Sequence, residues 1–183
     1  MLIIALGSNL SGVFGTPKQT LSRALAELTA SGIQIASTSR LYRTRAHATQ
    51  PQPDFLNAIA MGFSRLPPGA LLEMFKRIEA QAGRGSAKTP HLKCSRWISR
   101  TLDLDIVSYK NVIYNWKMKK PLEGRRVILP HPRAHERAFV LQPLCDVAPF
   151  WHHPVFGLTA SEFLKNPRVR QTGAILSAGD LLS

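Results

Sequence analysis

Arg100-Thr101-Leu102-Asp103-Leu104-Asp105-Ile106 is the stretch on which the fold turns. As an extended strand its side chains repeat with period two, so Leu102, Leu104 and Ile106 share one face and Asp103 and Asp105 the other, the two aspartate Cα atoms roughly 6.6 Å apart. The apolar face asks for a core. The acidic face, in a chain with 24 Lys and Arg against 11 Asp and Glu, asks for cations. Two hard oxygen donors at that spacing suit Mg²⁺, which takes one or two carboxylates and leaves its other positions to water and substrate phosphates. The alternative for an isolated Asp-X-Asp is a solvated strand face.

Outward from this strand the elements fall into a recognisable order. Leu2 to Leu6 is a short apolar run stopped by Gly7-Ser8-Asn9, a buried strand ending in a turn. Thr16-Pro17-Lys18-Gln19 has the form of a capping box with proline at the first helical position, and Leu21, Leu25 and Leu28 follow at helical spacing until Gly32. Ile33 to Tyr42 reads as one second strand, and Asn57 to Phe63 as a third after a loop carrying Gln50, Pro51 and Pro53. Pro67-Pro68-Gly69 opens a second helix with Leu71, Leu72, Phe75, Ile78 and Ala82 on its apolar face, closed by Gly83. A basic loop from Arg84 to Ser99 leads into the aspartate strand. This β-α-β-β-α-β order predicts an α+β, ferredoxin-like fold: an antiparallel sheet with both helices on one face. Ala134 to Leu141, Thr159 to Leu164 and Arg168 to Leu182 are expected to add short C-terminal helices.

The chain has 183 residues, 44% of them hydrophobic, which suits a single domain over 1–183. Its formal charge of +13 leaves nucleotides, RNA or an anionic membrane as candidate partners. Cys94 and Cys145 are too few for a disulfide framework, so a cytoplasmic location is expected. The opening residues lack the basic flank of a signal peptide, and no stretch approaches the roughly 20 apolar residues that span a bilayer. Tyr114 to Arg126, with five Lys and Arg around Pro121 and Gly124, reads as an exposed loop.

Between Lys76 and Arg100 lie Lys76, Arg77, Arg84, Lys88, Lys93, Arg96 and Arg100, with Glu79 the one acid among them. Such a loop would stabilise a triphosphate, because arginine forks match phosphate oxygens and positive groups are the main resource in phosphoryl transfer. Arg84, Arg96 and Arg100 are the stronger candidates, since they border the loop ends near the acidic strand; any single lysine is more simply a solvated charge. Trp97 is either a hydrophobic anchor or a lid over a flat ring. Gly83 to Thr89 has the outline of a Walker A loop but carries Ala82 and Ala87 where glycine is required, and a helix precedes it, so it is no P-loop. His131, His135, His152 and His153 raise zinc, but no HExxH occurs and zinc is set aside.

Taken together, Ala5 to Leu10, Leu41-Tyr42-Arg43-Thr44, Gln52 to Ala58, Ile78-Glu79, Gly83-Arg84, Arg96-Trp97, Arg100 to Ile106, Leu129-Pro130-His131-Pro132, Arg137 to Leu141 and Pro143-Leu144 resemble the 6-hydroxymethyl-7,8-dihydropterin pyrophosphokinases of folate biosynthesis, over roughly residues 2 to 150. The resemblance implies transfer of a pyrophosphoryl group from ATP to the pterin hydroxymethyl group, releasing AMP. It implies that Asp103 and Asp105 hold two Mg²⁺ ions, that Arg84 and Arg100 stabilise the transferring group, and that Arg96 and His131 contact ATP. It further implies that Phe55 and Phe139 sandwich the pterin, that Asn57 and the Thr44 region read its polar edge, and that Trp97 and Arg137 close over it. By pattern alone both phenylalanines read as core, Asn57 as a turn residue and His131 as a loop histidine. The proline common after the threonine is absent, Arg45-Ala46-His47 standing there, and the loop before Arg96 is longer than in short relatives. A monomer acting on small molecules, without nucleic acid or membrane, is expected. The competing readings are a ferredoxin-like RNA-binding module, motivated by the charge, and a catalytically silent nucleotide-binding relative.

Overall fold

The computed structural model describes residues 1–45, 52–83, 100–116, 127–170 and 175–179. Strand β1 (Leu2–Ser8) is followed by α1 (Pro17–Ala30), β2 (Gln34–Thr38), β3 (Leu41–Thr44), β4 (Phe55–Phe63), α2 (Pro68–Gln81) and β5 (Asp103–Tyr109). A 3-10 turn (Ala134–Glu136), α3 (Ala138–Val147), α4 (Ala160–Phe163), α5 (Pro167–Arg170) and β6 (Ile175–Gly179) complete the order. The strands form one sheet in the order β5-β1-β4-β3-β6, with β2 also pairing to β4, and every pairing is antiparallel. This is the α+β arrangement expected.

The first helix starts where its capping residues dictate. The Thr16 hydroxyl accepts from the Gln19 backbone N–H, the Gln19 side chain accepts from the Thr16 N–H at 2.9 Å, and Pro17 occupies the first turn. Gly32, at φ +89°, and Gly83, at φ +94°, turn the chain out of α1 and α2 in the left-handed region that glycine tolerates.

Two expectations are corrected. Ile33 to Tyr42 is not one strand but two: the Ile59 amide donates to the Ser39 hydroxyl at 2.9 Å in place of a ladder carbonyl, while the Ser39 amide donates to the Ile59 carbonyl. A serine hydroxyl competing for a backbone donor breaks the ladder locally. Of the C-terminal stretch expected to be helical from Arg168 to Leu182, the described residues are a helix ending at Arg170 and a strand, Ile175–Gly179, paired to β3. The open edge of β3 supplies backbone partners, and tertiary pairing overrides weak local preference there.

β1 is central and covered on both faces, so its apolar run does not alternate: Leu2, Ile3 and Ile4 are all fully buried. On one face Leu2, Ile4, Leu6, Leu104 and Ile106 pack with Leu21, Leu28, Leu71, Phe75 and Ile78 of α1 and α2. On the other, Ile3, Ile59 and Val107 pack with Val140, Leu141 and Leu144 of α3 and with Ala160 of α4. Both long N-terminal helices do share one face, and α3 adds a third layer. It is held over the sheet partly by the Tyr42 hydroxyl, which donates to the Asp146 carboxylate at 3.0 Å. Among the described residues no helix is long and apolar enough to cross a membrane.

Candidate active site

The third layer does not cover its whole face. Where β1 carries Ala5 and Gly7, the side chains are too small to fill the space, and a cavity of about 140 Å³ opens toward the start of α3. One row of paired residues crosses the sheet beneath it: Tyr42 opposite Asn57, Asn57 opposite Gly7, and Gly7 opposite Asp103. The row is tight, because a Cβ at Gly7 would lie 3.0 Å from Asn57 Oδ1 and press on that side chain. Asp105, opposite Ala5, and Phe55, opposite Thr44, extend the lining.

The acidic pair sits as the period-two reading requires, with Leu104 fully buried on the far side of the strand. Burial, and then the negative charge of Asp103, push the Asp105 carboxyl above its ordinary range, partly offset by Arg137, Lys76 and Arg100. A carboxyl raised by its neighbour's negative charge marks a place that positive charge stabilises. Arg100 supplies part of that charge: its Nη1 donates to Asp103 Oδ2 at 2.5 Å. The Arg100 backbone is fixed by Asn9, whose Oδ1 accepts the Arg100 N–H at 2.7 Å and whose Nδ2 donates to the Pro53 carbonyl at 3.1 Å. The end of β1 thereby ties together the segments carrying Arg100 and Phe55.

His131 borders the acidic pair, with Nε2 3.9 Å from Asp105 Oδ2. Burial and the positive charge of Arg137 depress its pKa to about 4, so the ring is neutral near pH 7. Its Nδ1 accepts the Arg133 backbone N–H at 3.2 Å, which leaves the ring proton on Nε2, facing the carboxylate. At the start of α3, the Arg137 guanidinium lies 5.5 Å from the centre of the Phe139 ring. Burial and the neighbouring Arg133 lower the Arg137 pKa, and its buried Nε has no hydrogen-bond partner among the described residues. At the opposite end Asn57 Nδ2 donates to Thr44 Oγ1 at 2.7 Å, a buried polar pair.

Of the residues singled out in the sequence, Thr44, Phe55, Asn57, Arg100, Asp103, Asp105, Arg137 and Phe139 line this one cavity, and His131 adjoins it. Arg84, Arg96 and Trp97 lie outside the described residues, as does the Lys117 to Arg126 stretch. Three further polar lining residues, Arg45, Gln52 and Arg133, carry no site role in the sequence reading. Arg133 stands between His131 and Arg137 in a short basic run, which was the available signal. Asn9 belongs to the Ala5 to Leu10 motif, but its sequence neighbours mark it only as a turn residue. Among the described residues no three His, Cys, Asp or Glu side chains cluster as a metal cage. The acidic pair offers two carboxylates on one wall of the cavity.

The model of the 7,8-dihydro-6-hydroxymethylpterin-pyrophosphokinase family matches residues 3–149. The chain belongs to this family. It is accordingly an ATP-dependent pyrophosphokinase of folate biosynthesis. It is 37% identical over 146 residues to the 2-amino-4-hydroxy-6-hydroxymethyldihydropteridine pyrophosphokinase of Haemophilus influenzae, covering 79% of each chain. With the Synechocystis protein of the same name it shares 34% identity over 164 residues, 89% of this chain and 74% of that one. Among solved structures, the Plasmodium falciparum HPPK-DHPS triple mutant superposes with a TM-score of 0.64 at 14% identity, covering 90% of this chain and 42% of that one, a likeness of fold alone. The pyrophosphokinase match spans β1 to α3 and with them every described wall of the cavity.

Proposed function

We propose that the cavity over Gly7 is where the pyrophosphoryl group passes from ATP to the hydroxymethyl group of 6-hydroxymethyl-7,8-dihydropterin. The observation that carries this reading is the meeting, in one cavity, of a carboxylate pair flanked by cations with a buried Asn-Thr pair flanked by aromatic rings. The first half suits a metal-bound triphosphate and the second a flat, polar-edged heterocycle.

Asp103 and Asp105 would hold Mg²⁺, two ions in our reading, which when bound neutralises the triphosphate and aligns it. Arg100, which donates to Asp103, would stabilise the transferring group beside the metal-holding carboxylates. Neutral His131 presents Nε2–H as a donor to ATP without adding a charge. Phe55 and Phe139 take the two faces of the pterin, and Asn57, held by Thr44, offers Oδ1 to its edge. Arg137, with its unused Nε, closes over the ring. Arg84, Arg96 and Trp97 keep the roles their motif positions suggest: Arg84 with Arg100 on the transferring group, Arg96 with His131 on ATP, and Trp97 over the pterin.

In the reaction the hydroxymethyl oxygen bonds to the β-phosphorus while the bond from that phosphorus to the α,β-bridging oxygen breaks. The electron pair leaves with AMP, and the hydroxyl proton is released. Positioning and charge stabilisation carry such a transfer, which explains a site rich in fixed cations. A cytoplasmic monomer, folded as a single domain, is the form we propose; the continuous sheet supports the single domain, and two cysteines, too few for a disulfide framework, suit the cytoplasm.

The test is direct. Protein incubated with ATP, Mg²⁺ and 6-hydroxymethyl-7,8-dihydropterin should release AMP in step with pterin pyrophosphate. No AMP, or full activity in Asp103→Ala, would overturn the reading.

A further inference from the structure

Glu79, which the proposed chemistry leaves unused, is an acid buried to 1% exposure on the apolar face of α2, between Phe75 and Ala82. A buried carboxylate is costly unless its oxygens are bonded. One oxygen, Oε1, accepts the backbone N–H of Leu104 at 2.9 Å. The other, Oε2, accepts from Lys76 Nζ at 2.9 Å.

The bond to Leu104 falls at a particular place. β5 is an edge of the sheet, paired to β1 alone among the described strands. Edge strands present backbone donors that the sheet does not use, and such strands bend and slip more readily than central ones. Leu104 is the residue between the two aspartates. Its side chain is fully buried beneath α2, and its N–H is taken by Glu79, so backbone and side chain alike are held from the helix side. Asp103 and Asp105 project from the same short stretch into the cavity. Their separation and direction follow from how firmly Leu104 is held. A bond to a charged acceptor is stronger and shorter than one to a neutral carbonyl or water. Lys76 offsets the added negative charge and also bears electrostatically on Asp105.

We propose that Glu79 is a positioning residue for the metal-holding pair: by fixing the Leu104 amide from the helix side it sets the geometry with which Asp103 and Asp105 receive a divalent cation. It touches neither nucleotide nor pterin in this role. The inference rests on the proposed function, because it takes the aspartates as the metal site.

Binding separates the two ideas. Mg²⁺ binding is titrated by calorimetry in the presence of α,β-methylene-ATP, which cannot transfer its pyrophosphoryl group, and pterin binding is followed separately without nucleotide or metal. Glu79→Leu should weaken Mg²⁺ binding about tenfold or more, the loss expected from one charge-assisted hydrogen bond, and leave pterin binding within about twofold. Glu79→Gln, which keeps an acceptor for the amide, should stay within about threefold of the native protein on both. Unchanged Mg²⁺ binding in Glu79→Leu, or an equal loss of pterin binding, overturns the inference. If Glu79→Leu does not fold, Glu79→Gln decides by hydrogen exchange at Leu104: protection and metal affinity moving together support the inference, and moving apart they overturn it. Failure of the native protein to bind Mg²⁺ with the analogue would overturn the proposed function and this inference with it, whereas the outcomes above overturn the role of Glu79 alone.

Discussion

The two faces of β5 are separated by the thickness of one strand and do opposite work. Toward α1 and α2, Leu104 and Ile106, with Leu102 just before the strand, are packed among leucines and Phe75 with almost no exposed surface. Toward α3, Asp103 and Asp105 stand beside Ala5 and Gly7, where the absence of large side chains keeps a cavity open. The comparison teaches that the closed face supplies the free energy with which the open face keeps like charges together. Asp105, raised by burial and by the charge of Asp103, is not stabilised by its neighbour.

The sharpest way to break this division is to remove the open face alone. Asp105→Ala should lower the rate of AMP formation by about a thousandfold or more, on the order of 4 kcal/mol of transition-state stabilisation. The thermal midpoint should hold or rise, since one member of a repelling pair is gone; a large loss of stability with activity retained would reverse the assignment. Leu104→Ala attacks the closed face and should destabilise folding by about 2–5 kcal/mol, read by urea unfolding, because a fully enclosed side chain leaves a void. At the far wall of the cavity, Asn57→Ala should weaken pterin binding by about 1–3 kcal/mol through the lost Thr44 pair, with the KM for ATP little changed.

The smallest effect concerns the covered part of the α3 face. His153, 2% exposed among Trp116, Trp151 and Phe156, has its pKa lowered to about 4 by burial and by His135. Unfolding returns it to about 6.5, so between those values the unfolded chain binds more protons. Its contribution is complete above about pH 6.5 and is lost progressively as pH falls toward 4. His153→Phe should make the acid side of the stability profile shallower, while His131, also near 4, keeps part of the slope. An unaltered slope in chemical denaturation across pH 4 to 6.5 would show that the buried ring does not titrate as described.

Much of this was legible in the chain. Thr16 and Gln19 announce the helix start because capping is a matter of neighbours three residues apart. Asp103-Leu104-Asp105 announces one apolar and one acidic face because strand periodicity is local. The split between β2 and β3 was hidden, since it depends on the Ser39 hydroxyl reaching Ile59, twenty residues away. Strand β6 was hidden for a related reason: the partner that makes Ile175–Gly179 extended is β3. Phe55 and Phe139 look like core residues in any window, and the resemblance rather than the pattern marked them out.

By itself the sequence determined the element order, the opposition of apolar and acidic residues on the last core strand, and membership of a pyrophosphokinase family, all of which are written in short-range spacing or in motifs. Tertiary structure decided that Gly7 leaves room above the sheet, that Asn9 joins Arg100 to the Pro53 segment, that His131 carries its proton on Nε2, and that Glu79 grips Leu104 from behind. The physical reason is that emptiness, burial and hydrogen-bond pairing are relations between residues distant along the chain, and they acquire values only when the sheet brings those residues into contact.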